Sequence, residues 1–291
     1  MKGDYYIWKK MKNRDIPYVE DMLRDLEEDY VSACGRYLVR DSSKDPVWLL
    51  CAGSCAAKSG KKNEIPAIVI NSKSTVIPVL CGLNEIPDLN FLNSFLRIKK
   101  IHSIQGLKNE VIVMENAIKK FGWKTAEIID YDLMKLDSLP RKNSFISSPS
   151  NLVLQTPGMI NLDEIAPLQA AYEQEEVIPN GSVFSPAASR INIANITAKG
   201  KILAAQLNGK FVGKINVSSV SFTRYLVGGV YVHPDYRRMG IAHKMAYEFI
   251  SSLINEGRGV TLFVKKTNDA ARRLYLNLGF SIKNDYRITY Y

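Results

Sequence analysis

The chain has 291 residues, 46% hydrophobic and 23% charged, enough to bury one large core or two ordinary ones. No apolar run approaches the ~20 residues needed to cross a bilayer, and the opening Met-Lys-Gly-Asp-Tyr-Tyr is not a signal peptide, so a soluble cytoplasmic protein without a membrane partner is expected. The formal net charge of +10 divides into +4 over residues 1–147 (23 Lys/Arg, 19 Asp/Glu) and +6 over residues 148–291 (16 against 10); with no long basic run or helix-turn-helix pattern, it favours a site for a phosphorylated small molecule over nucleic acid.

Cys34, Cys51, Cys55 and Cys81 form no Cys-x-x-Cys pair and have only His102 near them in sequence. They read as buried thiols, and no metal site is expected.

Residues 5–11 predict a strand, and Asp15 to Tyr30 a helix with Val19, Met22, Leu23 and Leu26 on one face. The acidic run Glu27-Glu28-Asp29 reads as solvated surface. Val47 to Ala52 and Ile65 to Leu80 predict consecutive antiparallel strands broken by polar turns, and Ile98 to Ile104 another strand. Gln105-Gly106 then reads as a turn into a helix carrying Leu107, Val111, Met114, Ala117, Ile118 and Phe121 and closed by Gly122. Thr125 to Leu133 completes this half. The Pro- and Ser-containing stretch Ser138 to Gln155 reads as a linker, with a domain boundary near residue 147.

Beyond it, Asp163 to Glu176 predicts a helix broken by Pro179-Asn-Gly181, and Ser185 caps a second helix reaching Ala198. Lys201 to Leu207, the turn Asn208-Gly209 and Phe211 to Val217 predict a hairpin. The Val- and Tyr-rich segment Arg224 to Val232 is a strand ended by Pro234, which has no N–H to donate. A helix begins near Met239, with Ile241, Ala242, Met245, Ala246, Phe249, Ile250, Leu253 and Ile254 on its inner face. Its first N–H groups lack intrahelical partners and its dipole is positive there, while Gly240 and Ala242 let an anion approach and Arg237 and Arg238 add charge. Val260 to Val264 is a short strand, Asn268 caps a helix ended by Gly279, and Phe280 to Tyr291 offers one or two final strands.

The C-terminal half resembles the GNAT superfamily of N-acetyltransferases. That family's Arg/Gln-x-x-Gly-x-Gly/Ala loop is matched by Arg237, Gly240 and Ala242, preceded by Val232 and Pro234 as Val-x-Pro. Its second signature is matched by Asn268, Ala271, Tyr275, Gly279 and Phe280. The resemblance covers about residues 150 to 291. The N-terminal half has the same element order without either signature and resembles a degenerate second copy, an arrangement known in the family, as is an FR47-like subgroup. The expected fold is therefore α/β (α+β): a degenerate GNAT-like domain over 1–147 and a catalytic one over 148–291, each a mixed, mostly antiparallel sheet flanked by helices.

The resemblance implies acetyl-CoA, or another acyl-CoA, as co-substrate. Its pyrophosphate would lie on the amides of Arg238, Met239, Gly240, Ile241 and Ala242 beside Arg237, and its pantetheine along Val230, Tyr231 and Val232. Asn268, Ala271 and Arg273 complete the expected cofactor-binding set, and Gly228-Gly229 permits a bulge where the central strands splay. Tyr275 matches the family's proton donor for the departing thiolate. Tyr225 to Val232 contains no carboxylate where many members keep a base, so the acidic residues closing the first helix, Glu173 above all, are the candidates. His233 is assigned to the turn. The expected activity is acyl transfer to a small-molecule or peptide amine by a monomer or homodimer, and the alternative is a non-catalytic acyl-CoA-binding regulatory module.

Overall fold

Two compact units account for the chain, Met1–Asp132 with Asn284–Tyr291, and Leu133–Lys283. The computed structural model describes residues 6–52, 65–89, 91–92, 101–141 and 147–291. The sequence boundary near residue 147 differs from this division at both ends, because 133–147 fall in the second unit and the tail returns to the first. The tail is one strand, and its last residues find an open strand edge in the first unit. No helix among the described residues is long and apolar enough to cross a membrane.

In the first unit β1 (Tyr6–Lys10), β2 (Val47–Ala52), β3 (Ala67–Ser72) and β4 (Thr75–Val79) pair antiparallel in that order. β5 (Ser103–Leu107) lies parallel to β4, and the tail strand β12 (Ser281–Tyr290) pairs antiparallel with β5, Tyr286 opposite Leu107 and Tyr290 opposite Ser103. The single predicted helix over 15–30 is two helices, α1 (Ile16–Asp25) and α2 (Glu27–Leu38), broken at Leu26 (φ −99°, ψ 3°). Glu27-Glu28-Asp29 is the first turn of α2, where carboxylates complement the helix dipole, and Glu27 is buried rather than solvated. Trp8, Trp48, Val69, Ile104, Val111 and Met114 fill the core, with Trp8 stacked on Phe91 at 4.4 Å.

Gln105 and Gly106 belong to β5 and face Ile288 and Arg287, so they are not a turn; the helix α3 (Lys108–Lys119) follows directly. β6 (Glu127–Leu136) then crosses into the second unit. The predicted strand over 98–104 falls partly outside the described residues, as does Cys55. Cys34 and Cys51 are buried, whereas Cys81 is exposed.

The second unit opens on β7 (Leu152–Gln155), a strand in what the sequence suggests is linker. Next come α4 (Leu162–Tyr172), which runs on into a π-helical turn over Glu173–Val177, and α5 (Pro186–Ala198), capped by Ser185 Oγ accepting from Ala188 N–H at 3.3 Å. β8 (Ile202–Leu207), β9 (Lys210–Val220) and β10 (Arg224–Val232) continue the antiparallel pairing from β7. α6 (Ile241–Asn255) carries the chain to β11 (Gly259–Lys265), parallel to β10, and α7 (Asp269–Asn277) leads into β12.

This sheet is covered on both faces. Val212, Val227, Ile241, Met245, Ile250 and Leu262 pack on one side, and Ile165, Leu168, Ile193, Ala204 and Phe211 under α4 and α5 on the other. β9 is consequently buried on both sides from Phe211 to Val217, and each such Val or Ile contributes roughly 1.5–3 kcal/mol relative to exposure. Both units are thus mixed, mostly antiparallel sheets flanked by helices.

Candidate active site

The anion turn is made by backbone shape. His233 N–H closes β10 onto Val212 C=O at 2.9 Å, and its Nδ1 accepts from Asp235 N–H at 3.4 Å, a turn role as expected. Arg238 (φ 63°) and Gly240 (φ 70°) both take the left-handed conformation, so the chain doubles back before α6 starts. Lys244 N–H bonds Gly240 C=O at 3.1 Å, which leaves the N–H groups of Ile241, Ala242 and His243 without intrahelical acceptors. His243 is buried, its Nε2 has no partner, and burial lowers its pKa, so it is a neutral imidazole beside these amides. Arg237 Nε donates to Val232 C=O at 3.0 Å and Nη2 to both oxygens of Glu175 at 2.9 and 2.7 Å, an ion pair that raises its pKa.

Above the turn the central strands part. β10 pairs with β11 only from Arg224 to Val227, opposite Gly259 to Leu262. On its other edge the register with β9 slips between Gly228 and Tyr231, a bulge centred on Gly229 (φ 61°). A Cβ on Gly229 would lie 2.0 Å from Asn216 Oδ1 and 2.7 Å from Lys214 Nζ, so any side chain here would have to displace both groups. Beyond the bulge, Val230 to Val232 form one wall of a cleft of about 580 Å3.

The opposite wall is α7. Asn268 Oδ1 caps it by accepting from Ala271 N–H at 3.0 Å, while its Nδ2 donates to Glu176 Oε1 at 3.2 Å. Lys265 also reaches Glu176 at 3.1 Å. Tyr275 is 5% exposed and meets Phe280 edge-on at 5.6 Å. Burial raises its phenol pKa, reinforced by Tyr172 and Glu176, so it is protonated throughout the physiological range.

The residues picked out by sequence fall into three groups. Val230, Tyr231, Val232, Arg237, Arg238, Gly240, Ile241, Ala242, Asn268, Ala271, Arg273 and Tyr275 all line the one cleft. Met239 is outside its lining, with its side chain 39% exposed. Glu173 is also outside the lining, and its Oε1 accepts from Gln169 Nε2 at 2.7 Å and Asn192 Nδ2 at 2.8 Å. The acidic cluster is therefore committed to partners: Glu173 to two amides, Glu175 to Arg237, and Glu176 to Lys265 and Asn268.

Sequence reasoning missed His243, Tyr172 and Lys214. Lys214 is fully buried on β9, donating from Nζ to Gly229 C=O at 2.8 Å and Asn216 Oδ1 at 3.1 Å. The available signal was a Lys-x-Asn pair within an otherwise apolar central strand. The parallel pair β10–β11 corresponds to β4–β5, so the counterpart of the anion turn is the stretch following Val79. There the buried carboxylate of Glu110, holding the Tyr30 hydroxyl at 2.6 Å, faces the N–H groups of Leu80, Cys81 and Gly82. A buried carboxyl, its pKa raised by burial, thus stands by these amides.

A parallel strand pair splayed over a basic helix N-terminus, with both walls in one compact unit, is the arrangement that the resemblance read from the sequence leads one to expect. Residues 168–280 match the model of the acetyltransferase (GNAT) family. N-alpha-acetyltransferase 20 of Dictyostelium discoideum is 34% identical over 86 residues, 28% of this chain and 49% of that protein, so the chain spans about half the length of this curated relative. Among solved structures, a Drosophila protein determined as a structural-genomics target superposes with a TM-score of 0.64 at 13% identity, covering 99% of both chains. A GCN5-related N-acetyltransferase from Sphaerobacter thermophilus gives 0.62 at 18% identity, covering 98% of this chain and 94% of that one. A tandem GNAT protein from the clavulanic acid biosynthesis pathway gives 0.55 at 12%, covering 98% and 97%. At these identities the structural likenesses establish the fold, and they extend over the whole chain.

Proposed function

We propose that the second unit transfers an acetyl group from acetyl-CoA to a primary amine by direct attack in a ternary complex. The observation that carries this reading is the single cleft in which the strand splay at Gly229, the left-handed anion turn at Arg238 to Gly240 and Tyr275 meet. The free amides of Ile241 and Ala242, the neutral His243 and the guanidiniums of Arg238 and Arg273 suit a pyrophosphate, and the unpaired edge of Val230 to Val232 suits an extended amide-bearing arm.

When bound, acetyl-CoA supplies the activated acyl carbon. The amine nitrogen bonds to that carbon, the C–S bond breaks, and the proton lost from nitrogen is balanced by the one gained by sulfur, with no oxidant or metal required by the balance. Tyr275 is assigned the proton given to sulfur, since burial keeps its phenol protonated until a strong base forms beside it. The proton leaving the acceptor passes to solvent, since Glu173 lies outside the cleft lining with its Oε1 held by Gln169 and Asn192. The likeness to N-alpha-acetyltransferase 20 of Dictyostelium discoideum supports an α-amine among primary amines.

The test is thiol release from acetyl-CoA by the full chain against peptides with free N-termini, amino acids, polyamines and aminoglycosides. Turnover with any of these, with an acetylated amine as product, supports the reading. Tight acetyl-CoA binding without transfer to any acceptor would favour a binding module instead.

A further inference from the structure

Lys214 has no place in the chemistry described so far. It lies 0% exposed on a strand covered on both faces, where a methionine of similar length would pack without desolvating an amine. Burial pushes its pKa down to about 7, and the charge of Glu173 acts in the opposite direction. Yet its Nζ is fully used: it donates to Gly229 C=O and Asn216 Oδ1 and sits 4.7 Å from the ring centroid of Tyr172.

Gly229 is held from both sides, since its N–H donates to the Tyr172 hydroxyl while its C=O accepts from Lys214. The carbonyl of Gly229 and the N–H of Val230 belong to one peptide unit. The described residues contain no cis peptide bond, so that N–H points opposite to the carbonyl and away from Lys214. Val230 lines the cleft, beyond the last β11 partner at Val227. A cationic donor on an amide oxygen draws electron density from the amide nitrogen and strengthens its N–H as a donor.

We propose that Lys214 is a positioning residue for acyl transfer: it fixes and polarises the Gly229–Val230 peptide so that Val230 N–H binds the acyl carbonyl oxygen, most strongly as negative charge develops there. The proposal rests on the acetyl-CoA reading of the cleft. It gives the bulge glycine, the buried lysine and the Tyr172 hydroxyl one common purpose, to set the direction and strength of a single backbone donor.

The experiment uses acetyl-CoA labelled with 13C at the thioester carbonyl, bound to the wild-type chain and to Lys214→Met. Isotope-edited infrared spectra should show the carbonyl stretch of the wild-type complex lowered from that of free acetyl-CoA, with most of the lowering lost in Lys214→Met. kcat should fall about 100-fold, the scale of one lost oxyanion donor, with KM for acetyl-CoA changed less than about threefold. An unchanged stretch in the variant complex would overturn the proposal.

A second arm needs only the wild-type protein and guards against a variant that fails to fold. In a pH titration with 13C-labelled lysine and 15N-labelled valine, the Val230 amide shift should inflect at the same pH as the Lys214 Cε signal. A Val230 amide that ignores the Lys214 titration would also overturn it. Wild-type protein that does not bind acetyl-CoA would instead remove the parent reading, and the inference with it.

Discussion

Replacing Gly229 with alanine tests how the cleft is held open. At φ 61° an alanine meets the left-handed penalty, about 1–2 kcal/mol. Its Cβ would also stand 2.0 Å from Asn216 Oδ1 and 2.7 Å from Lys214 Nζ, and displacing those groups forfeits buried hydrogen bonds worth roughly 1–3 kcal/mol more. Gly257 is the matched control, with φ 80° and nothing within 4 Å of its would-be Cβ, so Gly257→Ala carries the backbone penalty alone. Hydrogen-exchange protection of β9 and β10 amides is the assay, because Trp8, Trp48 and Trp123 all lie in the first unit and fluorescence would not report the second. Gly229→Ala should lose about 2–5 kcal/mol of protection and bind acetyl-CoA at least about tenfold more weakly, against about 1–2 kcal/mol and unchanged affinity for Gly257→Ala. Equal losses in the two variants would refute the argument that crowding by Lys214 and Asn216 dictates glycine here.

Tyr275→Phe keeps the Phe280 contact and removes the hydroxyl, so kcat should fall by about 100-fold or more with acetyl-CoA affinity unchanged; an unaltered kcat across pH would end its role as proton donor. Glu175 places a negative charge on Arg237 beside the anion turn. Glu175→Gln should therefore tighten CoA binding by about two- to fivefold at low salt and hardly at all at high salt, whereas weakened binding would mean the pair is needed to aim Arg237. Burial depresses His243 below its ordinary value of 6.5, so the unfolded chain takes up the proton first and stability falls as pH drops through that value. His243→Gln should flatten this acid-side loss of Tm. CoA binding near pH 6 should also be accompanied by proton uptake in wild type but not in the variant, as calorimetry in buffers of different ionisation enthalpy would detect.

Much of the second unit was legible because its signals are local. Pro234 ends a strand, Gly240 permits a left-handed turn, and Asn268 caps a helix, each acting within a few residues of itself. What sequence reasoning missed depends on contacts made across the fold. Lys214 is conspicuous only once β8, β10 and α4 enclose it, and a lysine in a hairpin strand otherwise reads as exposed. The acidic run at 173–176 looked available for a substrate until Arg237, Lys265, Gln169 and Asn192 were found holding it. The tail, Tyr286 to Tyr290, finds its partner strand in the first unit, a pairing that no periodicity announces. The same holds for the comparison of the two units: helical spacing located α3, but only the parallel pairing of β4 with β5 shows which turn corresponds to Arg237–Ala242.

The most direct measurement of the central claim is the stoichiometry of acetyl-CoA binding to the full chain by titration calorimetry. The account predicts one equivalent per chain, bound in the second unit and abolished by combining Arg238→Glu with Gly240→Val, changes that reverse a charge and add a side chain at the anion turn. Two equivalents per chain, or one that survives this double substitution, would contradict it.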